Sequence, residues 1–395
     1  MIQSLRDEFM LDPEIVFLNH GSFGATPRPV FATYQEWQRR LEWQPVQFLG
    51  TDIGAYLAEA RQALGRYLNV AANDLVFVPN TTFGVNVVAR SLRLGPGDEV
   101  LATDHEYGAC ENAWLFMSRE RSFRYVRQPI PLPLATGDEV MEQFWAGVTP
   151  RTKVIFLSHI TSPTAMRLPV EAICMRARVA GILTVIDGAH APGQIPLDLA
   201  AIGADFYTGN CHKWLCAPKG AGFLYARAEV QPLIEPLIVG WGWGDGRTFT
   251  FGSDFLDYIQ FPGTNDYAAY LAVPAAIDFQ MRHDWLTVRA RCRSLLEQAI
   301  GRIEGLTGLP LLYPQPAGDA YSQMAIAALP PIADLLALKK GLYDEFHVEI
   351  PLIQWNGRQF IRISVQGYNT VADVDALLAA LERLLVREAA GAPVR

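Results

Sequence analysis

Four places in this sequence carry residue types whose surroundings call for chemistry. Lys213 lies in TGNCHKWLCAPKG (residues 208–220), between two apolar runs of strand type. An amine in an apolar setting loses part of its proton affinity, and a free amine condenses with an aldehyde to a Schiff base. A solvated turn is the plainer account of the same letters. Asp187 ends the apolar run LTVID and is followed by Gly188 and His190. A carboxylate there is costly without a partner; a protonated pyridine nitrogen or an N-cap to the next helix would serve. Asn80, Thr81 and Thr82 follow VFVP and open a helix. Free amides and the helix dipole suit a phosphate there, although Asn and Thr are also ordinary caps. From the lysine turn, Asn210 and His212 are candidates for the same phosphate. Arg362 lies within FIRISVQGYN, where an arginine normally faces solvent. Its planar fork also matches a carboxylate in two-pronged geometry. Phosphate cradle, pyridine partner, reactive amine and carboxylate clamp together fit pyridoxal 5'-phosphate and an amino-acid substrate.

These residues need a scaffold that delivers them to one place. Apolar runs of strand length (residues 74–79, 97–103, 123–126, 153–158, 183–187, 204–209 and 220–227) alternate with helix-period segments over 81–94, 109–120, 137–148 and 169–181. That alternation predicts an α/β fold with a large, mostly parallel sheet in three layers. Ligands in such sheets lie outside the carboxyl ends of the strands, where the clusters around Thr82, Asp187 and Lys213 fall. Beyond PGTNDYAAYLAV the pattern changes. A long helix over 267–283 leads to helices at 286–304 and 331–345, a strand at FIRISV and a closing helix over 371–388. The expected division is a large domain over 14–268 and a smaller α+β domain over 269–395, joined by residues 1–13.

Composition narrows the class. The chain has 395 residues, half of them hydrophobic, and a net charge of -8, which supports a sizeable core and offers no basic stripe for nucleic acid. No apolar run reaches membrane-spanning length, and MIQSLRDEF lacks the apolar core of a signal peptide. Five scattered cysteines (110, 174, 211, 216 and 292) suit a reducing cytoplasm better than a disulfide framework. Cys211, His212 and Cys216 lack a CxxC pair or a second cluster, so no metal is expected.

The ordered set NTTFGVN, VIDGAHAPGQ, GNCHKW, Gly263-Thr264 and RISVQGYN resembles the class V aminotransferase superfamily, pyridoxal-phosphate enzymes of fold type I. NHGSFGATP and SHITSPTAMRLP resemble its isopenicillin N epimerase-like branch. The resemblance implies that Lys213 holds the cofactor and moves the α-proton, that Asp187 keeps the pyridine nitrogen protonated, and that His190 lies beside the ring hydroxyl. It implies phosphate contacts from Thr81, Thr82, Asn210 and His212. Thr264 would reach the phosphate of a neighbouring subunit, which implies a homodimer. Tyr107 is the expected stacking group on the ring and a candidate acid, with His105 as the second choice. Ser162 replaces an asparagine that related cysteine desulfurases place near the ring. Asn19, His20 and Ser22, on a loop at the pocket mouth, are candidate substrate contacts; a glycine-rich turn explains the same letters.

Cysteine desulfurases need a nucleophilic cysteine some fifteen residues before the clamp arginine. Here that window centres on His347, and no cysteine follows Cys292. Epimerisation or racemisation at the α-carbon is therefore the leading expectation, with C–S lyase and aminotransferase chemistry as alternatives. A non-enzymatic binding protein would have little reason to keep both Lys213 and Asp187.

Overall fold

The computed structural model describes residues 4–133, 136–314 and 317–389. Residues 1–3 and 390–395 of the two expected domains therefore lie outside the described residues. Among the described residues there are twelve strands in chain order: β1 (Val16–Phe17), β2 (Leu75–Val78), β3 (Glu99–Thr103), β4 (Arg124–Gln128), β5 (Thr152–Ser158), β6 (Leu183–Gly188), β7 (Phe206–Asn210), β8 (Gly222–Ala226), β9 (Met324–Ala328), β10 (Val348–Glu349), β11 (Leu352–Trp355) and β12 (Arg358–Ser364).

The main sheet has seven strands in the order β2-β8-β7-β6-β5-β3-β4. β8 is antiparallel to both of its neighbours, and the remaining pairs are parallel. Six strands thus point the same way, and their carboxyl ends form one edge. Both faces of the sheet are covered, which is why the strands read as unbroken apolar runs. In β2, Leu75 and Phe77 join one buried cluster while Val76 and Val78 join the other. The strand's period of two sends alternate side chains to opposite layers. Helices Thr81–Ser91 and Gly108–Arg121 cover one face, and helix Val170–Val179 lies on the other.

A second sheet, β11-β12-β9, is antiparallel and carries helices Trp285–Thr307, Leu335–Asp344 and Val371–Ala389. The long helix expected over 267–283 is two helices, Ala268–Leu271 and Val273–Arg282, with Ala272 between them and a proline in the first turn of the second. Proline has no amide hydrogen to continue the first helix.

The N-terminal segment is tied to this second unit. Leu5 donates its amide to the Gly367 carbonyl at 3.1 Å, and β1 pairs in parallel with β10. Ser364 donates its amide to the Leu18 carbonyl at 2.9 Å, and Asn19 bridges to Ser364. These bonds tie residues 5–19 to the second unit, and the chain then turns toward the carboxyl edge of the main sheet.

Candidate functional site

A cavity of about 320 Å³ opens at that edge, lined among others by Thr81, Thr82, Tyr107, Ser162, Asp187, His190, His212 and Lys213. A larger cavity of about 370 Å³ near Thr136 and Arg167 contains none of the predicted residues. The arginine there is already paired with Glu171 and Asp319.

Lys213 lies three residues beyond β7, in a turn fixed where Cys211 and His212 donate their amides to the Ala221 carbonyl. Its Nζ is 3.2 Å from His190 Nε2. The other nitrogen of that ring, Nδ1, accepts a hydrogen bond from the Trp214 indole at 3.2 Å. An indole only donates, so His190 carries its proton on Nε2 and offers it to Lys213. The amine must then accept, which requires its uncharged form. Burial first, and the positive charge of Arg362 second, push Lys213 down to about 8. Burial also holds His190 well below its ordinary value, so both groups favour the neutral pairing.

Asp187 reaches the cavity from the end of β6. Its Oδ1 accepts the Ala189 amide at 2.9 Å, while Oδ2 is buried with no N–H or O–H donor among the described residues, the weakly donating Cys110 thiol lying against the carboxyl. Burial pushes this carboxyl up. An orphaned carboxylate oxygen is the observation that tests the fit of a pyridine cofactor, because a protonated ring nitrogen is the donor it lacks.

At the helix Thr81–Ser91, Asn80 Oδ1 caps the Phe83 amide and Asn210 Oδ1 accepts the Thr81 amide, both at 2.9 Å. Asn210 therefore braces the helix start through its acceptor oxygen. The Thr81 hydroxyl is buried without a partner, and Thr82 faces the cavity. This helix approaches β7 so closely that a Cβ on Gly84 would fall 2.2 Å from Thr208 Oγ1, which only glycine allows. His212 donates from Nδ1 to the Ala221 carbonyl at 2.9 Å, leaving Nε2 unbonded to that partner.

Behind Ser22 and Ser162, which line the opposite side of the cavity, Arg362 is 4% exposed and is not itself among the lining residues. It donates to the carbonyl and hydroxyl of Ser162 at 2.5 and 3.2 Å and to Ser22 Oγ at 3.1 Å. Ser162 thus orients the guanidinium. Nε has no partner, and no carboxylate pairs with this arginine among the described residues. Burial pushes its guanidinium down to about 10. A buried cation without a counter-ion is costly unless a ligand supplies one.

Three of the expected residues do not line the cavity. His105 is fully buried outside the cavity, with Nδ1 on Thr164 Oγ1 at 2.8 Å and Nε2 on the Ile130 carbonyl at 2.7 Å. It stacks on Trp355 with ring centroids 4.1 Å apart, so it is committed to the joint between the two sheets. Tyr107, by contrast, lines the cavity and is 46% exposed. His20 lies beneath the lysine turn, bonded to Tyr368 Oη and to the Lys213 carbonyl, both at 3.0 Å. Asn19 is buried, donating to Glu349 at 2.7 Å and accepting from Ser22 at 2.6 Å. Both brace the site and neither lines it. Thr264 is exposed and lies away from this cavity.

Trp214, Cys110 and Glu106 were missed. Trp214 was visible beside the lysine, but nothing in the sequence aims its N–H at His190. Cys110 lines the cavity next to Asp187. Glu106 is buried directly after β3, and an acid at an apolar strand end was the signal already used for Asp187.

A mostly parallel sheet that presents a buried lysine of lowered proton affinity, a buried aspartate and a helix start at one edge defines a pyridoxal-phosphate enzyme of fold type I. A structural neighbour has the same build. The cystine C–S lyase C-DES, solved with glycine covalently linked to its PLP cofactor, matches with a TM-score of 0.82 at 22% identity, covering 95% of this chain and 98% of its own. Residues 16–377 match the aminotransferase class-V family, and the chain belongs to it. Its cofactor is pyridoxal 5'-phosphate. Among curated proteins, it is 37% identical to the isopenicillin N epimerase of Amycolatopsis lactamdurans, over 96% of this chain and 97% of that protein. It is 35% identical to the isopenicillin N epimerase of Streptomyces clavuligerus, over 97% and 98%. Among the described residues, no helix is long and apolar enough to cross a membrane.

Proposed function

We propose that this enzyme inverts the configuration at the α-carbon of an amino acid or an amino-acid-containing substrate. The observation that carries the reading is Arg362, a buried guanidinium held by two serines with no counter-ion, which suits a substrate carboxylate near the lysine. Likeness to two isopenicillin N epimerases adds the type of reaction.

In this reading Lys213 would hold the cofactor and would move the α-proton of the substrate on one face. Bound pyridoxal phosphate supplies an electron sink for the pair left when that proton departs. Asp187 Oδ2 would keep the ring nitrogen protonated, and His190, which orients the lysine, would serve the ring hydroxyl. Thr81, Thr82 and His212 hold the phosphate, with Asn210 stiffening the helix start, and Tyr107 packs over the ring. Inversion needs a second proton donor on the opposite face, and Tyr107 or a water beside it fills that role. In a homodimer, Gly263-Thr264 reaches the phosphate of the neighbouring subunit.

A C–S lyase is the second reading, favoured by the likeness to C-DES. Sulfur transfer through a protein persulfide is disfavoured, because the stretch between Cys292 and Arg362 holds no cysteine. The deciding experiment incubates purified protein with amino acids and cysteine derivatives in heavy water. Epimerisation predicts deuterium at the α-carbon and accumulation of the D-isomer with the skeleton intact. Stoichiometric sulfide and keto acid with no D-isomer would replace it with the lyase.

A further inference from the structure

Phe23 has no part in the reading above, yet it lines the cavity with its side chain 75% exposed. An exposed phenylalanine is ordinary by itself. What sets this one apart is how firmly the backbone on either side of it is held. Before it, Ser22 donates its amide to the Asn19 carbonyl at 3.2 Å and its hydroxyl to Asn19 Oδ1 at 2.6 Å. The same hydroxyl accepts from Arg362. After it, Gly24 donates its amide to the His20 carbonyl at 2.8 Å and packs so tightly on the lysine turn that a Cβ there would collide with the His212 carbonyl oxygen. The single-turn helix His20–Phe23 therefore carries its last side chain on a fixed mount. In sequence, that mount lies between the serine that meets the guanidinium and the glycine pressed on the turn of Lys213.

The size of the cavity limits what this phenyl ring can meet. At about 320 Å³ the cavity is near the lower end of the roughly 300–1,000 Å³ found for sites that take one small ligand. Cofactor and the reacting end of a substrate together leave little of that space, so a long side chain has to leave through the mouth. Three of the four groups on an α-carbon already have destinations in the reading above. The amine faces the cofactor, the carboxylate faces Ser22, Ser162 and the arginine behind them, and the hydrogen faces Lys213. The side chain is the fourth group, and Phe23 offers it an apolar surface next to the carboxylate anchor.

We infer that Phe23 determines substrate specificity by selecting amino acids whose side chain begins as an apolar stem and runs out through the mouth along the phenyl ring. This rests on the assignment of the substrate carboxylate to Arg362, and it names a substrate class within that reading. Each methylene shielded from water strengthens binding by up to about fourfold, so preference grows with the length of the stem. A polar group beyond the stem stays in water and costs little, as the heads of long amphipathic side chains do. A charge placed directly on the first methylene instead sits against the ring and is rejected.

Exchange of the α-proton in heavy water reads acceptance of a substrate whether inversion, elimination or transamination follows. Purified holoenzyme is offered alanine, norleucine, ε-N-acetyl-lysine and aspartate, and kcat/KM for exchange is measured by proton NMR. In the wild type, norleucine and ε-N-acetyl-lysine should exceed alanine by roughly tenfold or more, and aspartate should not. In Phe23→Ala the norleucine-to-alanine ratio should fall by roughly fivefold or more, and Phe23→Leu should restore part of it. A wild type without the preference, whether the four exchange alike or none exchanges, would overturn the proposal. So would an unchanged ratio in Phe23→Ala. Equal losses on every substrate would overturn it too, and would make the phenyl ring a structural or subunit contact. Failure of the underlying assignment looks different: Arg362→Ala would then leave KM unchanged for every substrate.

Discussion

The two walls of the cavity are built on different principles. On the main-sheet wall, Asp187, His190 and Lys213 arrive from adjoining strand ends and the turn that follows β7, and short local bonds fix them. On the other wall, the lining residues Ser22 and Ser162 and the arginine behind them, Arg362, come from three segments widely separated in sequence and meet through two hydroxyls and one carbonyl. The first wall is suited to a fixed cofactor and to proton movement. The second has the looser construction expected of substrate recognition, where a change of one side chain alters the fit without disturbing the chemistry.

The sharpest way to break this contrast is Lys213→Ala. Loss of the base should lower turnover roughly 10³-fold or more, and borohydride should no longer fix cofactor to the chain by mass spectrometry. An adduct surviving at another lysine would move the chemistry off this wall. Asp187→Asn should retain cofactor more weakly and lose about 10²-fold or more in kcat, because an amide does not hold the ring nitrogen protonated. Near-normal turnover would show that Oδ2 faces something else.

Arg362→Ala tests the other wall and should separate binding from catalysis. Losing charge-assisted bonds to a carboxylate is worth about 1.5–3 kcal/mol, so KM should rise roughly 10- to 100-fold. Thermal stability should barely change, since the variant also removes a buried unpaired cation. Unfolding with unchanged KM would make Arg362 a part of the core instead.

The smallest effect concerns pH. Lys213 has its folded value depressed to about 8 from 10.5, so between those values the unfolded chain binds more protons than the folded one. Stability then rises with pH. Denaturant titrations of apo-protein from pH 8 to 10.5 should show that rise, and Lys213→Met should flatten it. An unchanged slope in the variant would assign it to other groups.

What the sequence revealed follows from this difference between the walls. Lys213, Asp187 and Arg362 were legible because a charged group in an apolar run demands a reason. The strand and helix alternation of the main sheet was legible for the same physical cause, two covered faces. The direction of a side chain just past a strand end was not. His105 and Tyr107 are two residues apart, yet one is sealed against Trp355 and the other lines the cavity. Asn19 and His20 read as pocket residues because their partners, Glu349 and Tyr368, lie more than three hundred positions away. β9 escaped notice because its alanines carry little strand preference, and β11 because it is short and its partner is the strand that follows it.

The pairing of β1 with β10 has a consequence for how the enzyme comes into being. Residues 16–24 leave the ribosome well ahead of their partners, for Val16 and Leu18 bond to the carbonyls of His347 and Glu349. Gly24, at a backbone φ of 71°, lies so close to the lysine turn that a Cβ would meet the His212 carbonyl oxygen at 2.2 Å. The loop that completes the site is therefore synthesised early and seated late, waiting on contacts of very long sequence separation. Until the last strands of the chain have emerged, the main sheet can assemble its half of the cavity, while the half that grips substrate does not yet exist.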